Sequence, residues 1–360
     1  MRVAVVGGGV VGCAVTLALA RRGVDVVLLE AHAALALEAS GTNSGILHTG
    51  FDSVPGELET RLIHRSVALR EEAIEALDVP VLRCGAAMAA APDKVVERAR
   101  INAVPVEHGP DGTLRIPGEW VTDPVAFTLA LAAAAERAGA EVRTGFRVAG
   151  ADAESLWSAD GRQERGDVVV DCAGLHAHEV AHLFSDDSFA IRPRKGEFLV
   201  FDTPLDRILL PVPTARTKGV LVFPTVHGGC IAGPTAVDQD DPDDWSVRPE
   251  AAREILAKAV AMHPALEGAE PVASYAGLRP AGVDANYIIR RSTADRRLVI
   301  VGAIRSTGLS AALGIAEHVA DLVAPMVAAS PLRPGARVPM TGPWWLRTQR
   351  ERPSRRIGDA

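Results

Sequence analysis

Apolar and polar positions alternate along this chain in blocks that predict strands and helices in turn. Val3 to Val6 is a short apolar, β-branched run, and glycines follow it. An Ala/Leu-rich stretch from Cys13 to Arg22 then reads as a helix, and Val24 to Glu30 as a second strand. A strand, a glycine turn, a helix and a strand in that order open a parallel, doubly wound α/β sheet. The segment Ala39 to Pro55 is polar and glycine-rich, too broken for a helix and too long for a simple connection, which marks it as functional. Apolar spacing predicts a helix over Leu58 to Leu77. Asp123-Pro124 announces another, with an N-cap and a first-turn proline, running to Ala138-Gly139. Strands follow at Glu141 to Val148 and Asp167 to Asp171.

From Ile191 to Thr235 the pattern changes to strands separated by proline and glycine turns, at Gly196 to Asp202, Gly219 to Pro224 and Cys230 to Gly233. Helix returns between Pro249 and His263, strands at Ala273 to Leu278 and Leu298 to Gly302, and a closing helix from Leu309 to about Met326. Because the α/β portions flank the strand-rich one, the nucleotide domain is expected to be discontinuous: 1–79, 120–190 and 297–330. The substrate domain would take 80–119 and 191–296. Residues 331–360 form an Arg/Pro-rich tail with Trp344 and Trp345 as its anchors.

The chain has 360 residues, 48% of them hydrophobic, enough for more than one core. Its net charge of −7, with the basic residues scattered, provides no face for a phosphate backbone and excludes nucleic acid as a partner. Cys13, Cys84, Cys172 and Cys230 are far apart, so they read as buried free thiols, and no metal site is expected. A first strand at the very start leaves no room for a signal peptide, and no apolar run is long enough to span a bilayer. The expected location is the cytoplasm, with at most peripheral membrane contact. The acidic run Asp238 to Asp244 lacks the spacing of a calcium loop and reads as a solvated turn.

Gly7-Gly8-Gly9-Val10-Val11-Gly12 fits G-x-G-x-x-G between a strand and a helix. Gly7 serves the tight turn, Gly9 lets a pyrophosphate approach the backbone, and Gly12 lets helix and strand pack closely. Glu30, at the end of the second strand, is placed to accept from ribose hydroxyls. The motif alone leaves FAD and NAD both open.

The loop Ser40-Gly-Thr-Asn-Ser-Gly-Ile-Leu-His48-Thr-Gly-Phe-Asp-Ser-Val-Pro-Gly56 resembles that of FAD-dependent glycerol-3-phosphate dehydrogenases and oxidases and of L-2-hydroxyglutarate dehydrogenases, in the D-amino-acid-oxidase-like superfamily. Pro193-Arg-Lys-Gly-Glu197, the Lys218 to Gly228 stretch, Gly233-Pro-Thr235, Ala276-Gly-Leu-Arg279-Pro280 and Gly302-Ala-Ile-Arg-Ser306-Thr-Gly-Leu309 resemble further blocks of that family in its order. The resemblance implies a Rossmann-type FAD-binding domain with an inserted mixed-sheet substrate domain, and noncovalent FAD between them. It implies that Ser40, Thr42, Asn43 and Ser44 hold the pyrophosphate and flavin, that Val148 meets the adenine side, and that Ala173 and Gly174 pass near the phosphates. Gly302, Gly308 and Leu309 would lie beside the flavin ring.

A flavin takes hydride from a C–H bond while a base removes the hydroxyl or amine proton. His48 is the candidate base, and the resemblance implies a catalytic role for it; without the resemblance it reads as a histidine bonded within a packed loop. Arg279 offers a planar fork for a carboxylate or phosphate and Lys218 a point charge, both at positions implied to touch substrate. Taken alone, Arg279 could instead pair with Asp284, and Lys218 could be solvated. Ser306 adds a hydroxyl contact, and His227 reads as a turn histidine.

Arg305-Ser306-Thr307-Gly308 stands where that family commonly has Glu-Ser-Pro-Gly, His227-Gly228-Gly229 replaces His-Gly-Asn, and Asn286-Tyr287 replaces Asp-Phe. These departures bear on substrate more than on cofactor. The expected activity is oxidation of a small anionic secondary alcohol, glycerol 3-phosphate first and 2-hydroxyglutarate second. The cysteine-rich C-terminal domain that many members of that family carry has no counterpart here, so electrons would pass to oxygen, a quinone, a soluble carrier or a separate electron-transfer subunit. The rivals are an amine or amino-acid oxidase on the same fold and a flavin subunit of a multi-subunit dehydrogenase.

Overall fold

The computed structural model describes residues 1–212, 219–325 and 327–351, the last four by their backbone alone. A six-stranded sheet is ordered in space Ile288–Arg291, Leu298–Gly302, Val168–Asp171, Arg2–Val6, Asp25–Leu29 and Glu141–Arg143. Its strands run parallel except Ile288–Arg291, which pairs antiparallel with Leu298–Gly302. The near-continuous Val/Leu runs of its central strands follow from burial on both faces. Helices Val10–Ala20, Pro124–Arg137 and Gly308–Val323 pack with Leu58–Ala76 around one apolar core that includes Val3, Leu17, Leu28, Phe127 and Ile315. Each large aliphatic side chain taken fully out of water there contributes about 1.5–3 kcal/mol.

The helix expected from Asp123-Pro124 begins as the residues dictate, for the Asp123 carboxylate accepts from the N–H groups of Val125 and Ala126. The first helix starts at Val10, three residues before the apolar run begins, because the glycine turn itself feeds it. Elements that carry weaker patterns went unforeseen: helices Asp93–Ile101 and Ala177–His182, the three-stranded sheet over 148–165, and the strand Ile288–Arg291. That last strand falls within the stretch expected for the second lobe, yet it extends the nucleotide sheet.

The second large sheet has nine strands, drawn from residues 86–116 and 191–282. Its backbone is Ile191–Phe201, paired over ten positions with Ala273–Gly282, from Ile191 opposite Gly282 to Val200 opposite Ala273. The sheet approaches the Ala39 to Pro55 loop closely at Gly277, where a Cβ would come within 2.6 Å of the Thr42 hydroxyl. A small three-stranded sheet of Ile46–Leu47, Trp120–Thr122 and Val81–Leu82 joins the two lobes.

Two expectations are revised here. Two acids of the run Asp238 to Asp244 are not merely solvated: Asp238 pairs with Arg194, and Asp244 with Lys195, whose side chain is buried. Cys13, Cys172 and Cys230 are buried as expected, but Cys84 is only partly so. All four are free, and burial pushes the Cys84 and Cys230 thiols up to about 11. No helix of the described residues is long and apolar enough to cross a membrane.

Candidate active site

A cavity of about 510 Å³ runs from the glycine turn, along the Ala36–Ser44 loop, to the meeting of the two sheets. At its nucleotide end Gly7 has φ +107°, and a Cβ there would lie 2.4 Å from the Cys172 carbonyl oxygen. At Gly12 a Cβ would lie 1.9 Å from the Gly7 carbonyl oxygen, so only glycine allows the helix to start this close to the strand. The N-cap, Gly9, contributes no side chain, and the first turn holds no acid, which leaves the helix N-terminus open to an anion. Ser40 takes one of its donors, its hydroxyl oxygen accepting from Val10 N–H at 2.9 Å.

Glu30 is buried at the same end. Its carboxylate accepts from the N–H of Gly8 and of His32, both at 2.7 Å, and is therefore fixed in orientation. A second cavity of about 250 Å³ continues past it, lined by Glu30, Phe146, Val148 and Ala173. Cavities of these sizes, joined at Gly7, Glu30 and Ala173, fit a nucleotide at one end and a ring system at the other. Gly9, Thr42, Asn43, Ser44, Gly174, Ser306, Gly308 and Leu309 also line the larger one. Gly302 does not: it ends its strand facing Phe189, 3.0 Å from where a Cβ would sit. Gly12 is likewise absent from both linings and acts through packing alone. Lys218 lies outside the described residues.

At the other end of the larger cavity stands His48, partly buried. Its Nδ1 lies 2.7 Å from Oε2 of Glu119, whose side chain is wholly buried. Oε1 of Glu119 accepts from the N–H of Thr49 at 2.6 Å and from the Thr49 hydroxyl at 2.7 Å. Burial pushes the Glu119 carboxyl up, but its contact with the His48 ring and the two bonds from Thr49 outweigh it, leaving the group below the usual carboxylate range. Nδ1 being held in this way, Nε2 is the ring nitrogen left over. The backbone N–H of His48 donates to Ser310 Oγ at 2.8 Å, which links the loop to the closing helix.

Arg279 faces the cavity from the substrate sheet. It does not pair with Asp284: it donates to the carbonyl oxygens of Arg194 at 3.3 Å, Lys195 at 3.1 Å and Thr235 at 2.5 Å. Burial, with the charges of Arg194 and Arg305 nearby, pushes its guanidinium down to about 10. Arg194 and Arg305 line the same cavity, and Arg194 is already paired with Asp238. Among the described residues Arg279 is thus a cation beside other cations whose hydrogen bonds go to neutral carbonyls.

Sequence reasoning missed two acids here. Glu119 lies far from His48 in the chain, and only the pairing of Leu47 with Trp120 brings them together. Glu59 falls in the first turn of the helix Leu58–Ala76. It lines the cavity, accepting from Thr307 Oγ1 at 2.6 Å and Asn286 Nδ2 at 2.5 Å, while Tyr287 OH meets the same threonine hydroxyl at 2.8 Å. The Asn286-Tyr287 pair, noted as a departure in sequence, thus braces the 304–309 turn. His227 sits in a turn as expected, and its Nε2 lies 2.8 Å from Oδ2 of Asp123.

A glycine-turn nucleotide site joined to a cavity between two sheets defines the fold and site of a dinucleotide-dependent oxidoreductase. The model of the family described as FAD dependent oxidoreductase, DAO, matches residues 2–322, and this chain belongs to that family. It is 30% identical to a glycerol 3-phosphate oxidase of Mycoplasma pneumoniae, over 89% of this chain and 94% of that protein. It is 28% identical to a glycerol 3-phosphate dehydrogenase of Caloramator mitchellensis, over 89% of this chain and 73% of that one. Among solved structures it is similar to the reduced L-α-glycerophosphate oxidase of M. pneumoniae with FAD bound, at a TM-score of 0.85 and 27% identity, covering 94% of this chain and 99% of that one. The protein is an FAD-dependent oxidoreductase, and FAD is its cofactor. The open helix N-terminus, the fixed Glu30 and the paired cavities fit that group.

Proposed function

We propose that this enzyme oxidises a small anionic secondary alcohol to the ketone, with glycerol 3-phosphate the first candidate and 2-hydroxyglutarate the second. The observation that carries this reading is Arg279, a cation in the same cavity as His48 whose hydrogen-bond partners among the described residues are carbonyl oxygens. Relatives named for glycerol 3-phosphate at 28–30% identity support the substrate order.

Bound FAD supplies the two-electron acceptor that takes hydride from the carbinol carbon. Every other part of the reaction falls to this chain. Arg279 holds the phosphate or carboxylate through Nη1, the guanidinium nitrogen that its carbonyl bonds leave over, Ser306 adds a hydroxyl contact, and Lys218 is assigned a second anion contact from the resemblance. Nε2 of His48 takes the hydroxyl proton, so the alcohol loses one hydride and one proton and becomes a ketone. Gly7, Gly9, Ser40, Ala173 and Gly174 hold the phosphates, Glu30 the adenosine ribose and Val148 the adenine. Thr42, Asn43, Ser44, Gly308 and Leu309 face the flavin. The electrons leave to oxygen, a quinone or a separate carrier protein.

An amine substrate on the same fold has less need of a base, because the nitrogen lone pair assists departure of the hydride. The carboxylate-held His48 therefore favours the alcohol. The test is anaerobic mixing of the FAD-loaded enzyme with glycerol 3-phosphate, L-2-hydroxyglutarate and a panel of secondary amines. Bleaching of the flavin bands by one of the two named acids supports the proposal; faster bleaching by an amine overturns it.

A further inference from the structure

The His48 ring is gripped by a side chain that makes no contact with the cavity. Glu119 lies under the Ala39 to Pro55 loop, fully enclosed, on the strand edge that pairs with Ile46–Leu47. A buried carboxylate costs several kcal/mol in lost solvation unless its oxygens are satisfied. Both oxygens are satisfied here, and the partners are unequal in kind. Oε1 takes two donors from Thr49, which fix the plane of the carboxylate, while Oε2 is spent wholly on His48 Nδ1.

The surroundings make the grip rigid. Gly118 packs so tightly that a Cβ there would reach within 2.8 Å of Thr49 Cγ2. Arg70 donates to the carbonyl oxygens of Leu47 at 3.1 Å and Gly118 at 2.6 Å, so one guanidinium ties the strand before His48 to the turn before Glu119. That guanidinium stacks 3.9 Å from the centre of the Trp120 ring, and its charge acts on Glu119. His64, the other imidazole beside this loop, approaches Gly50 and offers Glu119 no hydrogen bond.

We propose that Glu119 is the positioning residue of the reaction: its carboxylate holds the proton on His48 Nδ1, aims Nε2 at the substrate hydroxyl and stabilises the imidazolium formed when that proton arrives. This rests on His48 being the base. A carboxylate in this place is an acceptor only, so it selects the tautomer whose Nε2 lone pair is free; an amide can present either its oxygen or its N–H and loses that selection.

The test uses the FAD-loaded full chain under anaerobic mixing with whichever substrate bleaches the flavin. Glu119→Gln is expected to slow flavin reduction about 10²–10⁴-fold, the range typical of general-base catalysis. Half-saturation by substrate and bound FAD should stay near those of the wild type, because Glu119 touches neither. Glu119→Asp should recover part of the lost rate. His48→Asn serves as the reference. Should it reduce flavin at the wild-type rate, the base assignment itself falls. If His48→Asn is slow while Glu119→Gln keeps the wild-type rate, or loses only substrate affinity, the proposal for Glu119 alone is overturned. Nitrogen NMR of histidine-labelled wild-type holoenzyme decides the matter independently of how any variant folds. A neutral His48 ring protonated on Nδ1 is expected, and a ring protonated on Nε2 overturns the proposal.

Discussion

The indole N–H of Trp344 donates to the carbonyl oxygen of Asn43 at 3.0 Å, which ties the C-terminal segment to the loop that lines the larger cavity. The tie is one of a series. Ser330 pairs with Arg21, Gly335 N–H donates to Ala76, Arg337 meets Asp78, and Arg347 donates to the Leu35 carbonyl. Trp344 is fully buried and packs edge-on against Trp345. Trp344→Ala should therefore cost about 3–5 kcal/mol, as large-to-small core changes do. A lower melting temperature and faster release of FAD in a fluorescence assay would check it.

Glu30 fixes two backbone N–H groups and lines both cavities, where the proposed function places the adenosine. Glu30→Ala leaves both donors without a partner, a loss of about 1–3 kcal/mol for each buried group. Equilibrium dialysis should show weaker FAD binding, and denaturant unfolding should show lower stability even without the cofactor.

Arg279→Met should leave FAD content unchanged and raise half-saturation by an anionic substrate. The expected rise is about 10–100-fold, from the 1.5–3 kcal/mol of a charged hydrogen bond. Flavin reduction at saturating substrate should fall less. An unchanged half-saturation, measured in the same anaerobic assay, would remove Arg279 from the anion site.

Asp244 and Lys195 give the chain a pH dependence that is separate from catalysis. Burial pushes the Asp244 carboxyl up, but Lys195 and Ser246 outweigh it and hold the group down at about 2. A depressed carboxyl stabilises the fold above its unfolded value of about 3.9, and that contribution is lost as pH falls through the folded value. Denaturation midpoints should therefore drop between about pH 4 and pH 2. Asp244→Asn should flatten that drop and also lower stability at neutral pH, because Lys195 is left buried without its carboxylate.

The nucleotide end of the site was legible because its chemistry is local. Gly7, Gly9 and Gly12 sit within one turn, their spacing answers to backbone geometry, and the strand and helix on either side carry plain periodicity. The Asp123 cap was legible for the same reason. Glu119 and Glu59 were not, because Glu119 reaches His48, and Glu59 the cavity, only through tertiary pairing. Nothing in the spacing of Gly118-Glu119-Trp120 points to His48. The run Asp238 to Asp244 misled in the same way, since its cationic partners Arg194 and Lys195 come from a different strand. The resemblance to a flavoprotein family placed His48, Arg279 and Ser306 around one cavity; it also put Gly302 beside the flavin, whereas that residue faces Phe189.

The central claim is that an anionic secondary alcohol gives up its carbinol hydrogen to the flavin in this site. Stopped-flow mixing under anaerobic conditions, with glycerol 3-phosphate carrying either protium or deuterium at C2, tests it most directly. The account predicts complete bleaching of the flavin bands, slowed when C2 carries deuterium. Flavin that stays oxidised with glycerol 3-phosphate and with L-2-hydroxyglutarate, yet bleaches with a secondary amine, would contradict it.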